Sequence, residues 1–236
     1  YLDQLDQLTE SVSTEHTALK GRVSYAMPAS CLMTPHFPIL LRERQKRFPE
    51  LELSVTLCPS HDVIEKLLEG EIEFGFVTHE IQRPDLLLTP FCPEEYVLID
   101  HRGDRLKGLT ADLLNESHFV AHPGAENLFS IWVKHHFPRA KNLLWSSMKI
   151  AGEMNSLEGA IQMVEAGMGM TIIPRHCVED LIMKKRLFEY RGPEKKPLQA
   201  TVYIVTLANA LLPRRARSVI DVFLSIKKGT SSHSPS

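Results

Sequence analysis

The feature that most constrains the fold is an alternation of apolar runs and amphipathic stretches that begins after Gly21. The order is RVSYAMP, FPILLRERQKRFPE, LELSVTL, DVIEKLLEGE and FGFVTH. The first, third and last runs have the composition and alternation of strands, whereas the other two space their apolar residues as one face of a helix. A strand–helix–strand–helix–strand order predicts a parallel sheet with right-handed crossovers.

The same alternation restarts further along the chain. The second series is HFVAHP, AENLFSIWVKHHF, SSMKIAG, NSLEGAIQMVEAG and MGMTIIP. Before it, LLLTPFCPEEYVLID is interpreted as two strands separated by a proline-bearing bend, and the polar stretch HRGDRLKGLTADLLNES as the crossover between subdomains. After it, LQATVYIVTL predicts a returning strand and PRRARSVIDVFLSI a helix. The sequence therefore predicts two similar α/β subdomains.

Two glycines two residues apart, in VEAGMGMTIIP, raise the question of a phosphate-binding loop. Such loops place glycines after a strand and before a helix, and here the order is reversed. Gly167 is interpreted as the residue that ends the helix Asn155–Ala166, and Gly169 as a position where a Cβ would clash with the following strand. The pair is thus predicted to be structural.

Composition and spacing exclude several classes of function. A formal net charge of −2 argues against a broad basic face for nucleic acid within these residues. The four cysteines contain no C-x-x-C pair, which favours a reducing cytoplasm, and no apolar run approaches the ~18 residues of a membrane span. His118 and His122 lie too far apart on an extended chain to share one ion, so neither a metal site nor a cofactor is predicted. The sequence contains neither a paired acid and base nor a nucleophile elbow, so no enzyme is predicted.

The opening segment, residues 1–20, carries a narrow apolar stripe on a polar helix. Its members are Leu2, Leu5, Leu8, Val12 and Leu19. Such a stripe favours pairing with a second helix, and a frayed tail is the alternative. Because the chain opens without Met and without a secretory start, it is expected to be the middle part of a longer protein.

The stretch AMPASCLMTP predicts a strand that ends in a small polar loop just before a helix. Backbone N–H groups at a helix N-terminus favour anions, although Ser30 could equally serve only as a helix cap. Cys31 could act as a nucleophile or redox sensor because helix N-termini lower thiol pKa values, and simple packing of the thiol is the alternative.

With this order in place, the chain resembles the effector-binding domain of LysR-type transcriptional regulators over nearly its whole length. The resemblance is carried by GRVSYAMPAS, FPILLRERQKRFPELEL, LLEGEIEFGFV, PFCPEEYVLI, LTADLL and VEAGMGMTIIP. It implies a fold similar to type 2 periplasmic binding proteins, with two Rossmann-like subdomains joined by two crossover strands. The implied division is a linker helix 1–20, subdomain I at 21–99 and 199–228, subdomain II at 100–198, and a disordered tail 229–236.

The resemblance also implies a small effector, a carboxylate or other anion, bound in the cleft between the subdomains. Ligands of open α/β sheets bind beyond the carboxyl ends of strands, which selects the same loops. The implied effector-binding residues are Ala29, Ser30, Cys31, Thr78, His79, His122, Pro123, Gly124, Asn155 and Ser156.

In the resembled family a winged helix-turn-helix domain precedes the linker helix, so contact with promoter DNA is implied for a longer, cytoplasmic, homodimeric or homotetrameric protein. An effector that prefers one cleft geometry would shift subdomain closure and thereby DNA binding. Two alternatives stay open at this point: a periplasmic solute-binding protein, and a thiol-based redox sensor that uses Cys31.

Overall fold

The computed structural model describes residues 19–192 and 197–230, which form two compact units. Unit 1 comprises residues 19–92 and 201–230, and unit 2 comprises residues 93–192 and 197–200. The predicted helix 1–20 lies outside the described residues except for its last two positions, and the predicted tail lies outside them from residue 231 onward.

Unit 1 is built from a sheet with helices packed against it. In chain order its elements are β1 (Gly21–Met27), α1 (Ala29–Leu32), α2 (His36–Arg47), β2 (Leu51–Leu57), α3 (Ser60–Leu68), β3 (Phe74–Val77), the first part of β4 (Leu86–Asp100), most of β9 (Leu198–Leu207) and α9 (Arg214–Thr230).

The sheet of unit 1 confirms the predicted strand–helix alternation. β1 lies between β2 and β3 and pairs in parallel with both, with Gly21 opposite Leu51 and Tyr25 opposite Phe74. β9 then pairs antiparallel with β3. Because β1, β2 and β3 run in one direction, their carboxyl ends lie at the same edge of the sheet.

An aromatic cluster fills the core of unit 1. The Tyr25 ring stacks on Phe74 at 4.8 Å, and Phe76 and Phe223 meet edge to face at 4.9 Å. Tyr25 is fully buried, its hydroxyl has no hydrogen-bond partner among the described residues, and burial raises its pKa. Helix α9 closes this core with one apolar face, which buries Ala216, Val219, Val222 and Phe223.

Unit 2 repeats the alternation with more irregular connections. Its elements are the rest of β4, α4 (Gly103–Leu106), α5 (Ala111–Glu116), β5 (His118–Ala121), α6 (Ala125–His136), β6 (Lys149–Glu153), α7 (Leu157–Glu165), β7 (Thr171–Pro174), α8 (Glu179–Met183), β8 (Phe188–Glu189) and the start of β9. β5 and β6 are parallel, whereas β7 and β8 both pair antiparallel with β4.

Two predictions about the middle of the chain were wrong. The predicted pair of strands is one strand, β4, which passes from unit 1 into unit 2 at the Cys92–Pro93 bond. Its prolines, Pro90 and Pro93, lie outside the register with β7, which starts at Tyr96. The polar stretch 101–117 is not the crossover between subdomains; it forms α4 and α5, and Leu106 and Leu114 are buried in the core of unit 2.

The structural interpretation of the two glycines is confirmed. Gly167 has φ +84° and ends α7 in a Schellman motif, in which the N–H of Met168 donates to the Met163 carbonyl and that of Gly167 to the Val164 carbonyl. A Cβ on Gly169 would lie 2.6 Å from the backbone oxygen of His118. The missing side chain therefore lets the segment leading into β7 approach β5, where the Val120 N–H donates to the Met170 carbonyl at 2.9 Å.

None of the described helices combines the length and the apolar composition needed to cross a bilayer.

The unpartnered hydroxyl of Tyr25 gives a first testable prediction. Tyr25→Phe removes a buried donor without a partner and should leave stability unchanged or raise it by up to about 1 kcal/mol, because an unmade buried hydrogen bond costs free energy. The matched control is Tyr96→Phe, since the Tyr96 hydroxyl donates to buried Glu94 at 2.5 Å; this variant should lose roughly 1–3 kcal/mol. Urea unfolding measures both, and equal losses would contradict the assignment.

The close approach at Gly169 gives a second prediction. Gly169→Ala should destabilise unit 2 by about 3 kcal/mol because the added methyl group meets backbone that cannot rotate away. The control is Gly70→Ala in unit 1, where a Cβ meets no atom within 4 Å and only the positive φ of +74° is unfavourable. That variant should lose about 1–2 kcal/mol. Thermal unfolding of the two variants should therefore rank Gly169→Ala as the less stable.

Candidate functional site

The carboxyl ends of β1, β2 and β3 bring three loops together, and we call this the unit 1 edge. The N–H of Cys58, just after β2, donates to the Met27 carbonyl at the end of β1. The predicted residues Ala29, Ser30, Cys31, Thr78 and His79 follow β1 and β3, so the parallel pairing places them at this edge.

The segment after β1 differs locally from its prediction. Residues Ala29–Leu32 form the short helix α1, with Pro28 as its N-cap residue and no side-chain cap. Ser30 lies within that turn and is buried, so the alternative in which it serves only as a helix cap is wrong; Pro28 and Pro35 occupy the cap positions of α1 and α2. The physical reason is that Pro28 and Pro35 each fix a backbone φ suited to starting a helix. Cys31 is half-buried and contacts the core of unit 1.

Sequence reasoning missed Ser60, the first residue of α3. Its buried hydroxyl lies 3.2 Å from the Thr78 N–H, which donates to it, and 3.3 Å from the Thr78 hydroxyl. The two side chains thus form a polar pair across the ends of β2 and β3. The signal was present in PSHDV, because a serine that follows a strand and opens a helix obeys the same rule that selected Ser30.

The start of α3 is electrostatically suited to a small ligand. Its N-cap residue is Pro59, which supplies no side-chain acceptor for the first N–H groups of the helix. These groups carry a partial positive charge. Asp62 in the first turn offsets part of that charge and lies 2.7 Å from His61. His79, which follows Thr78, is exposed at the same edge, and desolvation lowers its pKa.

The corresponding edge of unit 2 lies beyond the carboxyl ends of β5 and β6, and we call it the unit 2 edge. The N–H of Met154 donates to the Ala121 carbonyl at 3.0 Å, which ties the two loops together. His122, Pro123 and Gly124 follow β5, and exposed Asn155 and Ser156 follow β6, so the structure brings these predicted residues to one edge.

The two loops of the unit 2 edge start their helices differently. The Ser156 hydroxyl caps α7 by accepting a hydrogen bond from the Gly159 N–H at 3.4 Å. Gly124 occupies the N-cap position of α6 with φ +85° and brings no side-chain acceptor. The first N–H groups of α6 are therefore left without a capping side chain, as they are in α3.

His122 is the buried member of this edge, with 7% of its surface exposed. Its Nε2 lies 2.9 Å from the Ile172 carbonyl of β7, and its Nδ1 lies 3.0 Å from the Pro123 carbonyl. Burial lowers the pKa of His122, and the two carbonyl contacts oppose that shift. The ring thus contacts the protein backbone on both sides.

An open depression of about 630 Å³ lies beside this ring. Its lining includes His122, Glu126, Trp145 and Glu153. Trp145 is held by edge-to-face contact with Phe119 at 5.9 Å. The depression is therefore polar and weakly acidic, with one indole in its wall.

The described part of the chain contains no group of three or more His, Cys, Asp or Glu side chains placed to hold a metal ion. Its four cysteines are not joined in disulfides. Burial raises the pKa of Cys58 and of Cys177, which disfavours their reactive thiolate forms.

The family model described as the LysR substrate binding domain matches residues 16–226. The transcriptional regulator YofA of Bacillus velezensis is 28% identical over 163 residues, which cover 68% of this chain and 52% of that protein. YofA of Bacillus subtilis is 28% identical over 187 residues, covering 76% and 60%. The chain thus spans between half and two thirds of the length of these relatives.

Solved structures show the same fold. The regulatory domain of CcmR from Synechocystis, in complex with 2-PG, superposes with a TM-score of 0.73 at 20% identity and covers 89% of this chain and 98% of that one. The effector-binding domain of QuiR with shikimate gives a TM-score of 0.69 at 14% identity, covering 89% and 99%. The family match over most of the sequence shows that the chain belongs to the LysR substrate-binding domain family.

Proposed function

We propose that this chain is the effector-binding part of a LysR-type transcriptional regulator and that it binds a small anion, such as a carboxylate, with residues of the unit 1 and unit 2 edges. The observation that carries the proposal is the Ser60–Thr78 pair at the start of α3. Two hydroxyl groups and the uncapped N–H groups of a helix converge there, and such groups bind small anions.

The chemistry of the two edges limits the charge and the polar groups that an effector can carry. None of the predicted site residues is Lys or Arg, so a bound carboxylate would be held by hydroxyl and backbone N–H donors rather than by an ion pair. Glu126 and Glu153 beside His122 would repel a second anionic group on that side. These features favour a small ligand with one negative charge and further neutral polar groups.

The function of the longer protein follows from the same family. The matched relatives are named as helix-turn-helix transcriptional regulators, so we propose that a preceding domain contacts promoter DNA in the cytoplasm and that the protein acts as a homo-oligomer without catalysis. Effector binding would favour one conformation of the chain, and the oligomer would transmit that preference to DNA binding. The relatives' names support this role over that of a periplasmic solute-binding protein.

A thermal-shift screen of the 236-residue chain tests effector binding. The panel contains small carboxylates, aromatic acids, amino acids and inorganic anions, and includes shikimate, under reducing conditions. A ligand at 100 times its Kd adds about 2.7 kcal/mol, which should raise the melting temperature by about 5–10 °C. No shift from any member would contradict the proposal and direct attention to thiol chemistry at Cys31.

The Ser60–Thr78 pair predicts how variants change the affinity for a ligand found in this screen. Ser60→Ala and Thr78→Val should each weaken binding by about tenfold, because removal of one neutral hydrogen bond costs roughly 1.4 kcal/mol. The control is Ser117→Ala, since Ser117 is equally buried but precedes β5 at its amino end and donates to the Leu113 carbonyl. Isothermal titration should show wild-type affinity for this control, and a loss of affinity there would contradict the placement of the site.

A further inference from the structure

His122 differs from the other residues of the two edges because a neutral ring cannot donate a hydrogen bond in both of its contacts. Both ring nitrogens lie in hydrogen-bonding geometry to backbone carbonyl oxygens, Nε2 to Ile172 and Nδ1 to Pro123. A neutral imidazole carries only one N–H. One of the two contacts therefore lacks a hydrogen as long as the ring is neutral, and only the charged ring donates to both.

Protonation satisfies both carbonyls but places a charge in a site that is almost closed to water. Burying a charge costs more than one neutral hydrogen bond contributes. The pKa of His122 is accordingly lowered, with burial as the largest cause. A state in which the ring has left its site has the ordinary pKa of about 6.5.

The ring holds a specific piece of backbone in place. The His122 carbonyl accepts from the Ala125 N–H at 2.9 Å, and the Gly124 carbonyl accepts from the Leu128 N–H at 3.0 Å, so the turn Pro123–Gly124 starts helix α6. The Nε2 contact joins this turn to Ile172 in the middle of β7. If the ring moves out, the turn loses this contact with β7.

The charged groups around the ring come from three elements. Glu153 at the end of β6 and Glu126 in the first turn of α6 line the same depression, and their carboxylates favour the charged ring. On its own strand, His118 is exposed. β7 contributes no titratable side chain, since its sequence is TIIP.

We propose that His122 is a positioning residue whose neutral ring straps the Pro123–Gly124 turn to β7, and whose protonation releases the turn. The direction of the pH effect follows from linkage. Protons favour the state in which His122 has the higher pKa, and this is the released state. As the pH falls below about 6.5, the released state gains population by up to about tenfold per pH unit. The consequence for effector binding rests on the proposed function, because that proposal places Pro123 and Gly124 in the site; the release itself does not.

Amide hydrogen exchange of the 236-residue chain between pH 7.5 and 5 tests the release without any ligand. After correction for intrinsic exchange rates, protection of the Ala125 and Leu128 amides should fall below pH 6.5 and approach a tenfold loss per pH unit. In His122→Gln the loss should disappear, because glutamine can donate an N–H to the Ile172 carbonyl and does not titrate. His118→Gln, an exposed change on the same strand, should behave like the wild type.

Two results would overturn the proposal: protection in the wild type that does not depend on pH, or the same dependence in His122→Gln. If His122→Gln does not fold, nitrogen-15 NMR of the wild-type ring decides instead. At pH 7.5 the ring should be a single neutral tautomer with hydrogen on Nε2, and it should titrate below 6.5. Titration at or above 6.5 overturns the release. If ligands fail in the screen while the exchange result holds, the proposed function is wrong and the strap is correct.

Discussion

The parallel pairing of β1 with β2 and β3 is the constraint on which the rest of unit 1 depends. Side chains and helix starts that follow parallel strands must lie at one edge of the sheet, and this is why Ser60 and Thr78 meet although they belong to different loops. The aromatic cluster around Tyr25 and Phe74 stabilises the same strands from inside. Without this pairing the polar groups would lie apart.

Unit 2 has a similar edge, but a close backbone approach at Gly169 arranges its strands. Gly169 lets the chain pass within van der Waals distance of the His118 backbone, which places β7 beside β5. Only because β7 lies there can the Ile172 carbonyl contact the His122 ring. A missing side chain and a buried histidine are thus parts of one arrangement: the close backbone approach at Gly169 positions the Ile172 carbonyl beside the ring, and burial lowers the pKa of His122.

The two edges differ in charge. The unit 1 edge presents hydroxyl groups and uncapped N–H groups, whereas the unit 2 edge carries Glu126 and Glu153 near the buried ring of His122. The family match shows which class of protein this is.

The sequence by itself determined the α/β alternation, the roles of Gly167 and Gly169, and the family, because apolar periodicity and glycine placement are local properties of the chain. It also selected loops at the carboxyl ends of strands, including the one that holds Thr78. Only the tertiary structure decided that β4 is a single strand, that Ser60 pairs with Thr78, and that His122 is buried against Ile172. These depend on contacts between residues 18 and 50 positions apart, and no local pattern reports which distant backbone group a side chain will meet.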